Sequence, residues 1–412
     1  MSPSLTSKDE IERVVREEWG RNLASLVKTL GDFQLAEDCL QDALISAFEH
    51  WERSGLPRSP AAWLLKVARR KAIDRIRRDR GFAAKLPELT YLYELENSVD
   101  DVEEGGVISD ERLQMIFICC HPALAEKSRV ALTLRSLGGL STDQIAAAFL
   151  DTGEAMQRRI TRAKIKIKGA GIAYKVPEVE DLPERLASVL RTLYLIFNEG
   201  YSASSGEALT RVDLSNEAIR LARITAHLMP DECEVQGLLA LMLLHDSRRS
   251  TRVGGNGEVV TLKHQNRARW NRAKIEEGTA ILQACLPLGR TGPYQIQAAI
   301  SGVHAHSVDW KSTDWAQIVE LYAALLCFEN TPVVQLNQAV AMSMAGTPER
   351  ALEVLSALEG MESYVPYHLA RAEVLGKLGR TLDAKDALCL ALEHTQNSVE
   401  AEFIRTKLGY LH

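Results

Sequence analysis

The sequence predicts an all-α protein: two small helical domains, the second a helix-turn-helix, followed by an array of helical hairpins. Three observations carry this. Apolar residues recur with a period near 3.6 almost throughout. Helix-opening and helix-closing residues, such as Ser59-Pro60, Ser141 to Gln144 and Gly31, bracket the periodic runs. A single segment, Gly254 to Leu262, reads as extended, with Gly-Asn-Gly followed by Glu-Val-Val-Thr-Leu.

A first helix is expected from about Asp9 to Leu30, with Ile11, Val14, Val15, Leu23, Leu26, Val27 and Leu30 on its apolar stripe and Gly31 ending it. Asp32 is placed to cap a second helix. There Phe33, Ala36, Leu40, Ala43, Leu44, Ala47 and Trp51 share one face, and Asp38, Gln41, Asp42, Ile45 and Glu49 line the other. An isoleucine within an acidic outer stripe suits a basic partner, although a solvated face has the same pattern.

Ser59-Pro60 opens a third helix to about Arg80. Ala61, Leu64, Leu65, Ala68, Ala72 and Ile76 turn toward a core, while Trp63, Lys66, Arg70 and Arg77 fall on the other side. An aromatic at the head of a cationic stripe suits opened DNA, because a base can stack on it; a bundle-edge core position is the competing reading for Trp63.

Ser141-Thr142-Asp143-Gln144 has the capping-box spacing, and Gly138-Gly139 makes the turn before it. A short helix to Phe149, a turn over Leu150 to Gly153 and a basic helix follow, with Asp151 and Glu154 spaced for the second cap. Met156, Ile160, Ala163 and Ile167 point inward; Gln157, Arg158, Thr161, Arg162 and Ile165 point outward, with Lys166 nearer the flank. Gln and Arg in the first turns of such a helix are what a helix-turn-helix uses to reach base edges. From Leu182 onward, hairpins follow without a basic stripe. Asn337 to Leu355 and Ala370 to Leu388 repeat at an offset of 33, pairing Gly346 with Gly379, Ala351 with Ala384 and Leu355 with Leu388; that is close to a tetratricopeptide period.

Composition narrows the class. Of 412 residues, 25% are charged and 46% are apolar, as in a folded globular protein. The longest wholly apolar stretch near the middle, Leu238 to Leu244, is far short of the roughly 20 residues a membrane span needs. The first ten residues lack an apolar signal core, so a cytoplasmic location with no membrane partner is expected. Seven scattered cysteines form no C-x-x-C pair and are expected to be reduced. The net charge of −6 hides sorting: residues 53–85 hold 11 Lys and Arg against two acids, and residues 154–175 hold seven against one. Between them, Leu86 to Ile108 carries seven acids and no base. Two basic segments joined by an acidic linker point to bipartite contact with nucleic acid.

In combination, residues 32–80 and 109–168 resemble an extracytoplasmic-function sigma factor of bacterial RNA polymerase. The carrying stretches are Ala36-Glu37-Asp38-Cys39-Leu40-Gln41-Asp42-Ala43, Trp63-Leu64-Leu65-Lys66-Val67-Ala68-Arg69-Arg70-Lys71-Ala72-Ile73-Asp74-Arg75, and Ala131-Leu132-Thr133-Leu134-Arg135 before the helix-turn-helix. Cys119-Cys120-His121-Pro122-Ala123-Leu124, Leu195 to Tyr201 and Leu238 to His245 are similar to the subgroup with a long C-terminal helical extension.

The resemblance implies sigma region 2 in residues 1–85, an acidic linker in 86–108, region 4 in 109–175, a helical extension domain in 176–290 and tetratricopeptide-like repeats in 291–412. It implies docking of Asp38, Gln41, Asp42 and Glu49 on the clamp of the polymerase largest subunit, with the flap as a further contact. It implies promoter minus-10 contact by Trp63, Lys66, Arg70 and Arg77, and minus-35 contact by Gln157, Arg158, Thr161, Arg162 and Lys166. Many members carry asparagine where this chain has Arg70, and arginine does not reproduce the adenine pattern of an amide. The extension is expected to regulate activity in cis, and its hairpins to offer a surface to a protein partner.

The rival class is a helix-turn-helix regulator with a ligand- or protein-sensing helical domain, which leaves residues 32–80 without a purpose. Glu199, His245, His264, His304 and His306 invite an enzyme, but no phosphate loop, nucleophile elbow or paired-carboxylate motif accompanies them. Cys119-Cys120-His121 and His304-x-His306 fall short of the four ligands a structural zinc wants. No catalysis, cofactor or metal is expected. The run Arg248-Arg249-Ser250-Thr251-Arg252 is expected to be a solvated loop.

Overall fold

Gly31 and Asp32 build the first corner as their chemistry dictates. The Gly31 N–H donates to Val27 O at 2.9 Å, closing α1 (Lys8–Leu30). The Asp32 carboxylate accepts the Gln34 and Leu35 N–H groups at 3.0 and 3.1 Å, opening α2 (Phe33–Ser54). The computed structural model describes residues 8–78, 108–149, 151–172, 174–201, 212–254, 260–395 and 398–409. The expected end of the third helix near Arg80 and the acidic linker up to Gly106 and Val107 lie outside the described residues.

The chain divides into two units, Met1–Ile196 and Phe197–His412. In the first, α1 and α2 pack with α3 (Pro60–Arg78) as a three-helix bundle, and α1 also carries α4 (Ile108–Cys119). Leu40, Trp51, Leu64, Ala68 and Ile76 fill the bundle core, as the apolar stripes require. On α3 the structure places one side chain that the expected wheel leaves unassigned and one that it leaves between two readings. Arg69 is buried, and Trp63 is only half exposed because it lies against Trp51 at 5.3 Å and His50 at 5.8 Å between ring centroids.

α5 (Glu126–Ser136), α6 (Thr142–Ala148) and α7 (Gly153–Gly169) form the helix-turn-helix. The capping box closes in both directions: Gln144 N–H donates to Ser141 Oγ at 3.1 Å, and Ser141 N–H to Gln144 Oε1 at 2.8 Å. The second cap is corrected. Thr152 Oγ1, not Asp151, accepts the Ala155 N–H at 3.2 Å, and Asp151 instead pairs with Arg159 at 2.8 Å. Glu154 stands exposed in the first turn of α7. The first part of α8 (Leu182–Tyr201) belongs to this unit, where Arg185 donates to Phe117 O at 2.8 Å and Arg191 pairs with Glu126 at 2.7 Å.

In the second unit, α9 (Val212–Leu228), α10 (Cys233–Ser247), α11 (Arg272–Cys285), α12 (Pro293–His306) and α13 (Trp315–Leu326) continue as antiparallel hairpins. α10 is the centre, with Leu238 to Leu244 buried throughout. Next come α14 (Pro332–Met344), α15 (Pro348–Ser356), α16 (Val365–Lys377), α17 (Thr381–His394) and α18 (Ser398–Gly409). α14 and α16 start 33 residues apart, as do α15 and α17. Gly346 and Gly379 take left-handed φ of 100° and 72° at equivalent turns. Ala351 with Leu355 and Ala384 with Leu388 fill successive cores.

The extended segment expected over Gly254 to Leu262 lies largely outside the described residues, and one other expectation fails. The extended segment near Gly254 supplies, in its described part, one bridge residue at Val253 and a Val260 N–H bond to Arg252 O at 2.9 Å. The supposed solvated loop is a tight 3-10 turn, Arg249–Thr251, with Thr251 buried and Trp270 Nε1 bonded to its hydroxyl at 3.0 Å. Among the described residues, no helix is long and apolar enough to cross a membrane.

Candidate nucleic-acid interface

The acidic face of α2 is tied from within its own bundle. Asp38, Gln41 and Asp42 are half exposed, whereas Glu49 is exposed and Ile45 is 61% exposed. Arg75 of α3 bridges Asp38 at 3.1 Å and Asp42 at 2.8 Å. Burial opposes the charge on Arg75, yet bonding and attraction from Asp42 and Asp38 outweigh it and raise its pKa. Asp38 and Asp42 are therefore engaged by Arg75, while Ile45 and Glu49 stand clear of that bridge.

Next to Asp38 in the chain, Glu37 is 3% exposed and turns toward the helix-turn-helix. It accepts from Arg135 Nε at 2.5 Å and forms an ion pair with Lys164. Lys164 also reaches Gln34 Oε1 at 3.2 Å, and Lys168 pairs with Asp32 at 3.1 Å. Trp19 Nε1 donates to Arg135 O at 3.1 Å, while the Arg135 guanidinium lies 5.5 Å from the Trp19 ring. Gly20 allows this approach, since a Cβ there would come within 2.8 Å of Leu137 O. The inner flank of α7 is thus clamped to α2.

The outer flank is open. Gln157, Arg158, Thr161, Arg162 and Lys166 are all exposed, and Ile165 is 64% exposed. Thr142 Oγ1 donates to Gln157 Oε1 at 3.0 Å, a bond that uses the amide oxygen and not its NH2 donors. Arg158, Arg159 and Arg162 line a cleft of about 520 Å³ with Ser128 and Ala155. A cationic cleft on the outward face of a second helix has the composition that phosphate and base edges recruit. On α3, Lys66, Arg70 and Arg77 are exposed, while Trp63 shares its ring contacts with His50 and Trp51. The five minus-35 candidates share one face; those of α3 lie on a separate helix of the same unit.

Sigma-70 region 2 matches residues 17–82, spanning the last part of α1 together with α2 and α3. This part of the chain is therefore similar to one domain of the sigma-70 factors. The match starts in α1, earlier than the resembling stretches, because the bundle needs α1 to cover α2 and α3. ECF RNA polymerase sigma factor SigK of Mycobacterium sp. (strain KMS) is 28% identical over 149 residues, 35% of this chain and 70% of SigK. SigK of Mycobacterium sp. (strain JLS) is 30% identical over 126 residues, 29% of this chain and 62% of that protein. Uncharacterized protein R00370 of Rhizobium meliloti (strain 1021) is 42% identical over 392 residues, 94% of this chain and 93% of its own length. A family of unknown function, DUF6596, matches residues 185–286. No solved structure matches the chain.

Sequence reasoning missed Glu37, Arg75, Arg135 and Lys164. A signal existed for two of them: Glu37 adjoins the core residues Ala36 and Leu40, and Lys164 adjoins Ala163 and Ile167. A charge beside a core stripe is affordable only when it is paired. The partner's identity could not be read, because Glu37 and Lys164 are 127 residues apart.

Proposed function

We propose that this chain is an extracytoplasmic-function sigma factor that binds core RNA polymerase and directs promoter-specific initiation. The observation that carries the reading is a region 2 bundle and an outward Gln/Arg helix-turn-helix face in the same unit. Ile45 and Glu49, with Asp38, Gln41 and Asp42, offer α2 to the polymerase clamp. The α3 cations contact the minus-10 region, with Trp63 beside them as a stacking surface. Arg158 and Arg162 read the minus-35 element, and Lys166 holds phosphate. The C-terminal hairpins, tetratricopeptide-like in period, regulate activity in cis.

Transcription from a promoter template with and without purified core polymerase tests the reading. Start-site-specific transcript is expected only with both proteins present, and weak duplex binding by the chain alone. Tight sequence-specific footprints by the chain alone, with no transcript on adding core, would favour a simple regulator. For the cis role, a chain ending at Tyr201 keeps the α8 contacts to Phe117 and Glu126 that a cut after Val176 would remove. Unchanged promoter output and core affinity from that shortened chain would sink cis regulation.

A further inference from the structure

The second unit contains a cluster of guanidinium groups without ion-pair partners among the described residues. Tyr201 stacks on Phe197 at 5.5 Å and lies 5.4 Å from the His245 ring. Over the same tyrosine ring stand Arg252, with its guanidinium 3.6 Å from the centroid, and Arg248, at 5.7 Å. Arg267 is 6% exposed and donates one Nη to the carbonyl oxygens of His304 and Ser307 at 2.9 and 3.3 Å. Among the described residues, none of the ion pairs of this unit reaches these three arginines. The neighbouring carboxylate, Asp246, is already taken by Arg249 and Lys274. Asp309 attracts Arg267 from the exposed surface, and its carboxylate is turned to the Ser312 N–H at 2.8 Å.

Three buried polar atoms in the same cluster lack hydrogen-bond partners among the described residues: Tyr201 Oη, Arg267 Nη2 and His304 Nδ1. Buried polar groups are nearly always satisfied, so the orphaned Tyr201 hydroxyl and Arg267 Nη2 donors beside these cations ask for a missing acceptor. Arg248 is the common neighbour. After burial, its charge is among the causes that lower the pKa values of His245, His304, Arg252 and Arg267. All of these groups are half-buried or buried, unlike the exposed cations of α7, so the cluster suits a small ligand rather than a nucleic-acid backbone.

We propose that this cluster binds a small oxyanion ligand, one bearing a phosphate or carboxylate group, against the Arg248 guanidinium with Arg252 and Tyr201 beside it. Phosphate and carboxylate share the oxygen acceptors that a guanidinium fork recognises. The site is independent of promoter reading and lies in the segment matched by the family of unknown function and the hairpin that follows it.

The test is thermal unfolding of the full chain in inorganic phosphate, malonate or chloride at about 10 mM and equal ionic strength, together with calorimetric titration of phosphate and of malonate. Wild type, Arg248→Gln, Arg248→Lys and the exposed control Arg269→Gln are compared. Phosphate, malonate or both are expected to raise the wild-type and Arg269→Gln midpoints by about 3 °C or more. The anion that does so identifies the ligand group. Arg248→Gln should lose the shift and, without anion, melt no lower than wild type, because it removes an uncompensated charge. Arg248→Lys should keep the fold and bind about tenfold more weakly, having lost the planar fork. Shifts of equal size in wild type and Arg248→Gln would place the anion elsewhere, for example in the α7 cleft, and overturn the proposal. So would a marked loss of stability in anion-free Arg248→Gln, or the absence of any shift or heat in wild type.

Discussion

Glu37 of α2 and Lys164 of α7 form a buried ion pair that joins the region 2 bundle to the helix-turn-helix. Arg135 closes the group from α5, so one carboxylate holds two cations in a nearly dry contact. Removing the carboxylate leaves both cations without it, and breaking such a pair from one side typically costs about 3–5 kcal/mol. Glu37→Gln is expected to lower unfolding stability by about 3 kcal/mol in urea titrations of the full chain. A loss below about 1 kcal/mol would show the three groups to be solvated.

Ile45 is exposed on the acidic face and supports no core. Ile45→Ala should change stability by no more than about 0.5 kcal/mol. If α2 docks on the polymerase clamp, the same change should weaken core binding by about 1 kcal/mol through lost apolar burial. Unchanged core affinity in a fluorescence titration would move the docking surface off this face.

Arg158 and Arg162 stand one turn apart on the open flank of α7. Alanine at a base-reading arginine should cost about 1–3 kcal/mol and relax preference at one promoter position. Lys166→Ala should weaken all sequences alike and reduce the salt dependence of binding. Holoenzyme binding to a panel of minus-35 variants separates these outcomes. Equal, sequence-independent losses from all three substitutions would assign α7 to phosphate contact alone.

Acid should destabilise the second unit through its histidines. Burial, with the charges of Arg248 and Arg267, pushes the His304 pKa down to about 3, and burial with Arg248, Arg252 and His304 lowers that of His245 as well. Unfolded histidine titrates near about 6.5, so the unfolded chain binds protons that the folded chain refuses. Stability from this source is full above about pH 6.5 and falls as the pH drops toward 3, by up to about 1.4 kcal/mol per unit for each histidine. Midpoints measured from pH 7 to pH 5 should decline, and His304→Gln should flatten the slope. A flat wild-type profile would contradict the assignment.

Whatever depends on neighbours within a few turns is readable from the residues alone. The α1 stop at Gly31, the Asp32 cap, the Ser141–Gln144 box, the inward and outward faces of α7 and the 33-residue repeat all rest on local hydrogen bonding or helical period, and each is legible without a fold. The Thr152 cap was misassigned because Asp, Thr and Glu all stand at the turn, and local chemistry alone does not choose among them. It takes the packed molecule to bring Arg75 across Asp38 and Asp42, Glu37 against Arg135 and Lys164, Trp63 against Trp51, and Arg248 and Arg252 over Tyr201. Charge pairing and ring contact act through space over a few ångströms. Residues dozens of positions apart meet according to how hydrophobic faces pack, and no pattern of period 3.6 records which distant charge will be waiting there.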